Sequence, residues 1–186
     1  MNELLPVSHA ALLTHKLVDH DPTVVDHAAR VTDLALRLAD ELDAGQLLRR
    51  RLALATPLHD IGKLEIDPAI LAKPGPLDDD EFEVIRSHPV FGTRILEGIQ
   101  SLRATLGTVL HHHERWDGGG YPHGISRTEI PEDARIVAVA DAYDAMISDR
   151  PYSDRVGHAA ALAEIERCSG TQFEPRVAEA FVRMLA

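Results

Sequence analysis

Apolar residues recur at intervals of three and four along almost the whole chain, and no alternating apolar-polar run bounded by turn residues offers a strand. That periodicity restricts the fold to an all-α one, a helical bundle in which each helix hides its apolar stripe against its neighbours. At 186 residues and 45% hydrophobic content, the chain can bury a single core. It divides into an N-terminal helical extension over 1–20 and one globular domain over 21–186. A first helix is predicted over 8–19. Asp21 and Pro22 supply an N-cap and a first-turn proline for a long second helix that Gly45 ends near Ala44. A third helix is predicted from Gln46 to His59, followed by a proline-punctuated connector, IDPAILAKPGPL. Asp78 and Glu81 form a capping box for the next helix. After the interruption at His88-Pro89, helices are predicted over 90–99 and 101–113. Pro131 opens EDARIVAVADAYDAMI, which is apolar nearly all round; its β-branched RIVAV portion is compatible with a strand, but its length and the spacing at 136, 140, 143 and 147 favour a buried helix. Two last helices are expected near 157–168 and 175–185.

The formal charge of −11 argues against a partner that is a nucleic-acid polymer, since such binding needs clustered Lys and Arg. If this chain handles phosphates, metal ions or a few placed cations must supply the positive charge locally. The single cysteine, Cys168, has no intramolecular partner, which suits a buried thiol in a reducing compartment. No apolar run is long enough to cross a bilayer, and the first residues lack a basic start followed by an apolar stretch. The chain is therefore expected to be cytoplasmic and to make no membrane contact. Leu4, Leu5, Leu12, Leu13 and Leu17, in or near the first helix, serve either packing on the domain or a homodimer seam, packing being preferred.

Side chains able to hold metal are spread along this helical pattern. His27 shares a face with Val31, Leu34 and Leu38, so it points inward, where a lone histidine is usually a core residue. His59 and Asp60 stand side by side in HDIGK. The imidazole suits a divalent ion and the carboxylate can bridge to a second one, although a dipole-complementing helix end would also explain the pair. Lys63 follows His59 by four residues and falls on the same side if the helical turn continues, and Gly62 permits close approach there. His88 and the triplet His111 to His113 come next. Successive helical positions lie about 100° apart, so two members of the triplet can share a pocket and three cannot. Asp141 lies within an apolar helix, where an unpaired carboxylate is costly, so it requires a cation.

Taken together, HDIGK, His88-Pro89, HHERWDGGGYP, VADAYDA, DRPYS and GTQF resemble the HD-GYP family, a branch of the HD-domain metal-dependent phosphohydrolases. The likeness runs from about Asp21 to Phe181. It implies an all-helical fold whose two- or three-metal centre hydrolyses cyclic di-GMP to linear pGpG and often to GMP. By motif, one metal is held by His27, His59, Asp60 and Asp141, and its neighbour by His88, His112 and His113, with Asp60 bridging. Lys63 and Arg150 match positions that contact substrate phosphate, and Tyr121 and Pro122 belong to a loop beside the substrate cleft. That loop is linked to contacts with diguanylate cyclase (GGDEF) domains. Physically, two divalent ions bring about +4, which Asp60 and Asp141 only partly offset, and they lower the pKa of a bridging water toward neutrality from about 15.7. Asp60 and Lys63 are then the catalytic residues. The His and carboxylate donors suit iron, manganese, cobalt or zinc about equally; with the resemblance, iron or manganese is expected first, with zinc, cobalt and nickel also admissible.

The chain departs from the family at Thr23, one turn before His27, where some members hold a third metal with a glutamate; two metals are therefore expected. Ser153 and Asp154 precede Arg155, weakening the basic character after DRPY, and His111 lies outside the motif. Gly118, Gly119 and Gly120 are read as sources of backbone freedom for the loop. Trp116 is taken as a packed anchor, while Tyr121 is divided between anchoring the loop and stacking on guanine. The alternatives to a cyclic di-GMP phosphodiesterase are a non-catalytic receptor or interaction module, and an HD phosphohydrolase with another nucleotide substrate.

Overall fold

The computed structural model describes residues 4–21, 24–148 and 156–186, and among them every regular element is helical. In chain order these are α1 (Leu4–His20), α2 (Val24–Glu41), α3 (Gln46–Ala55), the short α4 (Pro68–Leu71), α5 (Asp79–Arg86), α6 (His88–Glu97), α7 (Leu106–His111), α8 (Glu132–Ile147), α9 (His158–Arg167) and α10 (Pro175–Leu185). Several 3-10 turns join them. None of these helices is long and apolar enough to cross a membrane.

The predicted stripe on α2 is buried: Val31, Leu34 and Leu38 face α8 and α10, and His27 continues the stripe toward the helix start. Each such leucine contributes on the order of 1.5–3 kcal/mol relative to exposure. In α8, Ile136, Val137, Val139, Ala140, Tyr143 and Asp144 are all buried, as expected of a helix apolar nearly all round. Together with α9 and α10 these residues form the larger of two hydrophobic clusters. The smaller joins Ala10 and Leu17 of α1 to Leu58, Ile61, Leu96, Leu102 and Val109. Thus α1 packs on the domain, the preferred of its two sequence-level roles. Cys168 is buried and free.

The capping box forms as expected, with Asp78 accepting from the Glu81 amide and Glu81 accepting from that of Asp78. Other boundaries differ. Helix α1 begins near Leu4, four residues early. Gly45 is the extended N-cap of α3 and does not close α2; Asp43, at φ 52°, makes the left-handed turn instead. Helix α3 stops at Ala55 and continues as 3-10 turns over Thr56–Leu58 and Ile61–Glu65. Pro57 accounts for this, because it lacks the amide an α-helix needs there and its ring crowds the preceding turn. The expected helix over 101–113 is a 3-10 stretch, Gln100–Thr105, followed by α7. Pro89 sits in the first turn of α6, where a missing amide costs little, so His88 opens that helix and does not interrupt it. The connector holds the short helix α4, capped by Asp67.

Candidate metal centre

Five elements converge on one interior point. Helix α2 supplies His27, the turn after α3 supplies His59 and Asp60, the first residue of α6 is His88, the end of α7 supplies His112 and His113, and α8 supplies Asp141. Ligand atoms of His27, His59 and Asp141 all lie within 4.8 Å of one another, as do those of Asp60, His88, His112 and His113. The structure therefore brings together all seven expected ligands. Asp60 stands between the two groups. Its Oδ2 is 3.5 Å from His59 Nε2 and 3.9 Å from His27 Nε2, while its Oδ1 is 3.2 Å from His88 Nε2.

The ring nitrogens facing inward are fixed by what lies behind them. Nδ1 of His59 lies 2.6 Å from the Thr56 carbonyl, Nδ1 of His88 lies 2.7 Å from that of Ile85, and Nδ1 of His112 lies 2.8 Å from that of Val109. Carbonyl oxygens only accept, so each Nδ1 carries the proton and each Nε2 presents a lone pair to the interior. His27 follows the same rule with a stronger partner, its Nδ1 donating to Asp144 Oδ2 at 2.7 Å. Arg30 in turn donates from Nε to Asp144 Oδ1 at 2.5 Å.

Two features call for a cation. His59 Nε2 is buried with no hydrogen-bond partner. His88 Nε2 and His112 Nε2 face each other at 3.1 Å although both Nδ1 atoms carry the proton, a contact between lone pairs that a shared positive ion relieves. The titration behaviour agrees. Burial outweighs all else at His88, lowering its pKa to about 3, and it likewise lowers His112 and His113. Burial pushes Asp60 up, but Lys63, His59, His88 and His27 together hold it well below the ordinary carboxylate range. Asp141 is held low against its burial by His27 and the neighbouring imidazoles. Burial lowers His27, yet Asp141 and Asp144 override it and raise that imidazole to about 9, so its Nε2 holds a second proton near neutral pH that a bound ion would displace. Three imidazoles kept neutral beside ionised carboxylates form a donor set ready for divalent ions.

Close backbone packing sets this geometry. A Cβ on Gly62 would lie 1.9 Å from the His88 carbonyl oxygen and 2.5 Å from the Gly92 amide, so only glycine lets the Ile61–Glu65 turn pack against α6 and bring Asp60 to His88. Lys63 lies on this turn. It pairs with Asp60 Oδ2 at 2.6 Å, three residues back, rather than with His59 four back, because the turn is 3-10.

The glycine loop is held more firmly than its composition suggests. Trp116 and Asp117 donate backbone N–H groups to Gln172 and Thr171, and Tyr121 donates to the His113 carbonyl. Only Gly118 of the three consecutive glycines has positive φ, +84°. Gly120 is required for space, since its Cβ would lie 2.4 Å from the Arg115 amide. The expectation of backbone freedom at all three is thus corrected: one serves the turn, and another serves close packing. Tyr121 stacks on His113 at 4.9 Å between centroids and carries the Arg86 guanidinium 4.8 Å from its own, which favours the anchoring role. Trp116, with Arg135 over its ring, is an anchor as expected.

His111 is not part of the centre and faces Glu114 and His123 instead. Thr23, Arg150 and Ser153 lie outside the described residues. No role is assigned from sequence to Asp144, which positions His27, although its place one turn after Asp141 is a signal for it.

A family model described as "HD domain" matches residues 11–177. A cyclic di-GMP phosphodiesterase of Thermotoga maritima is 45% identical over 160 residues, 85% of this chain and 44% of the relative. The cyclic di-GMP phosphodiesterase response regulator RpfG of Xanthomonas campestris is 42% identical over 156 residues, 83% of this chain and 41% of the relative. The chain thus spans less than half the length of these relatives. Among solved structures, Bd1817, an HDG"Y"P protein from Bdellovibrio bacteriovorus, superposes with a TM-score of 0.73 at 20% identity, covering 89% of this chain and 53% of that one.

Proposed function

The chain belongs to the HD domain family, in its HD-GYP branch, and from that premise we propose that it is a metal-dependent phosphodiesterase hydrolysing cyclic di-GMP to linear pGpG or GMP. The observation that carries the proposal is the Asp60 carboxylate, with one oxygen toward His27 and His59 and the other toward His88. Two divalent ions, iron or manganese in first place, would be held by His27, His59, Asp60 and Asp141 and by Asp60, His88, His112 and His113, supplying Lewis acidity and a water acidic enough to attack phosphorus near neutral pH.

The side chains around that centre have separable tasks. Asp60 orients both halves of the ligand set. Lys63 holds a compact positive charge against Asp60 Oδ2, and its partial exposure lets it turn toward a phosphate oxygen, where it would stabilise the charge that develops there. Asp144 fixes the tautomer of His27, and Tyr121 steadies His113 by stacking on its ring. Arg150 belongs to the proposal as a phosphate contact on its motif alone. The exposed edge of the loop at Asp117, Gly119, His123 and Gly124 supports a further part of the proposal, contact with diguanylate cyclase domains.

The test is anaerobic incubation of protein loaded with Mn²⁺ or Fe²⁺ with cyclic di-GMP, beside Asp60→Ala, with products followed by chromatography. Linear pGpG or GMP appearing only with intact Asp60 is the expected result. Binding without turnover under both metals would overturn it in favour of a receptor module, and turnover confined to another nucleotide ester would overturn the substrate.

A further inference from the structure

The loop that follows the metal-binding histidines assembles a second donor set sharing no side chain with the first. His111 at the end of α7, Glu114 and His123 each offer one ligand atom, and these atoms lie within 4.8 Å of one another. The chain is built to bring them together. The Glu114 amide donates to the His111 carbonyl at 3.0 Å, closing the turn after α7. Glu114 Oε1 then accepts from the His123 amide at 2.8 Å, drawing the far side of the glycine loop back to that turn. The rings of His111 and His123 consequently stand 5.4 Å apart.

Two atoms in this cluster lack a partner. The Glu114 side chain is fully buried, and its Oε2 accepts no hydrogen bond. His111 Nδ1 is also buried without a hydrogen bond, at 3.7 Å from Glu114 Oε1. A buried carboxyl oxygen and a buried imidazole nitrogen in one cluster, both without a hydrogen bond, are costly unless a further group binds there.

We propose that His111, Glu114 and His123 bind one divalent transition-metal ion of the zinc class, at a site separate from the centre built around Asp60. Two imidazoles and one carboxylate are a complete protein donor set for zinc that leaves a fourth position open, here on the exposed side of His123. With bonds of about 2.0–2.1 Å, tetrahedral donors stand about 3.3 Å apart, so the set must contract on binding. His123, the exposed member, can supply that movement without disturbing the core. The ion joins the end of α7 to the far side of the Gly118–Gly120 turn and so clips the loop directly after His112 and His113. The inference does not rest on the phosphodiesterase reading.

Zinc content after equilibrium dialysis tests it in full-length wild type, Asp60→Ala, His123→Ala and the double variant, with folding checked by circular dichroism. His123→Ala is expected to lose one equivalent relative to wild type, and the double variant one equivalent relative to Asp60→Ala. With cobalt in place of zinc, adding His123→Ala to Asp60→Ala should remove one four-coordinate component of the visible absorption. Glu114→Gln, which preserves the acceptor for the His123 amide, should remove that component as well; if that buried variant does not fold, exposed His123 decides alone. Equal metal content with and without His123 would overturn the proposal. Absence of cyclic di-GMP turnover alongside the expected stoichiometry would leave this site standing and remove only the activity.

Discussion

Asp144→Asn probes how far metal binding at the candidate centre depends on a residue outside the expected ligand set. In the wild type, His27 Nδ1 donates to one Asp144 oxygen at 2.7 Å and Arg30 Nε to the other at 2.5 Å. Asparagine keeps the shape but offers one acceptor and one NH₂ group. If its oxygen faces His27, the amide hydrogens face the Arg30 donor at that same short distance. If it is turned round, NH₂ faces His27 Nδ1, which must then accept, so the ring proton moves to Nε2, the nitrogen 3.3 Å from Asp141. The first arrangement loses the charge that makes the imidazole a stronger ligand, and the second protonates the ligand atom itself. Losing such an outer partner costs about 10- to 100-fold in metal affinity, or about 1.4–2.8 kcal/mol. Competition against a chromophoric chelator near neutral pH measures it, with circular dichroism to confirm folding. A folded variant within about twofold of wild type, roughly 0.4 kcal/mol, would refute the assignment of His27 Nε2 as a ligand positioned by Asp144.

Gly62→Ala forces a Cβ to within 1.9 Å of the His88 carbonyl, backbone against backbone. The cost should reach the upper part of the overpacking range, about 3 kcal/mol, and lower the melting temperature by about 6–12 °C in a thermal scan. Stripping metal with a chelator should lower the melting temperature, and restoring metal at about 100 times its dissociation constant should return about 2.7 kcal/mol, or roughly 5–11 °C. Lys63→Ala, which removes the amine 2.6 Å from Asp60 Oδ2, is expected to lower kcat about 10²- to 10³-fold while elemental analysis finds the metal retained. Burial, followed by its contact with Glu164, raises the Cys168 thiol above its ordinary pKa, so alkylation near neutral pH should be much slower than for a free thiol and should accelerate as pH rises or as the chain unfolds.

The all-helical fold is legible because each buried face repeats at helical spacing, and because local signals such as the Asp78 and Glu81 capping box are self-contained. Boundaries are less legible where the apolar pattern continues through a change of helix type. Leu58 and Ile61 are both fully buried and look helical in sequence, yet Pro57 has already broken the α-helix into 3-10 turns. That break shapes the candidate site. It places Lys63 against Asp60, where an uninterrupted helix would set it beneath His59. The role of Asp43 in closing α2 is hidden because Gly45, two residues on, carries the stronger turn signal.

The candidate ligands are readable mainly through the motifs HDIGK, HHERWDGGGYP and VADAYDA, because burial alone demands a cation only at Asp141 and leaves His27 an ordinary core histidine. What supports those ligands depends on contacts distant in sequence. Gly120 is required by the backbone of residues 113–115, and Gly62 by the backbone of α6. Both sit in glycine positions that composition alone interprets as mobility. The His113 carbonyl accepts from Tyr121 while the Tyr121 ring lies on that of His113, so the loop is folded onto the candidate ligand it follows. A glycine-rich stretch beside a metal centre can therefore serve rigidity as readily as motion. Where it holds a turn at one residue and admits close backbone contact at another, substitution should be felt first in the placement of His112 and His113, before any change in the loop's own exposure.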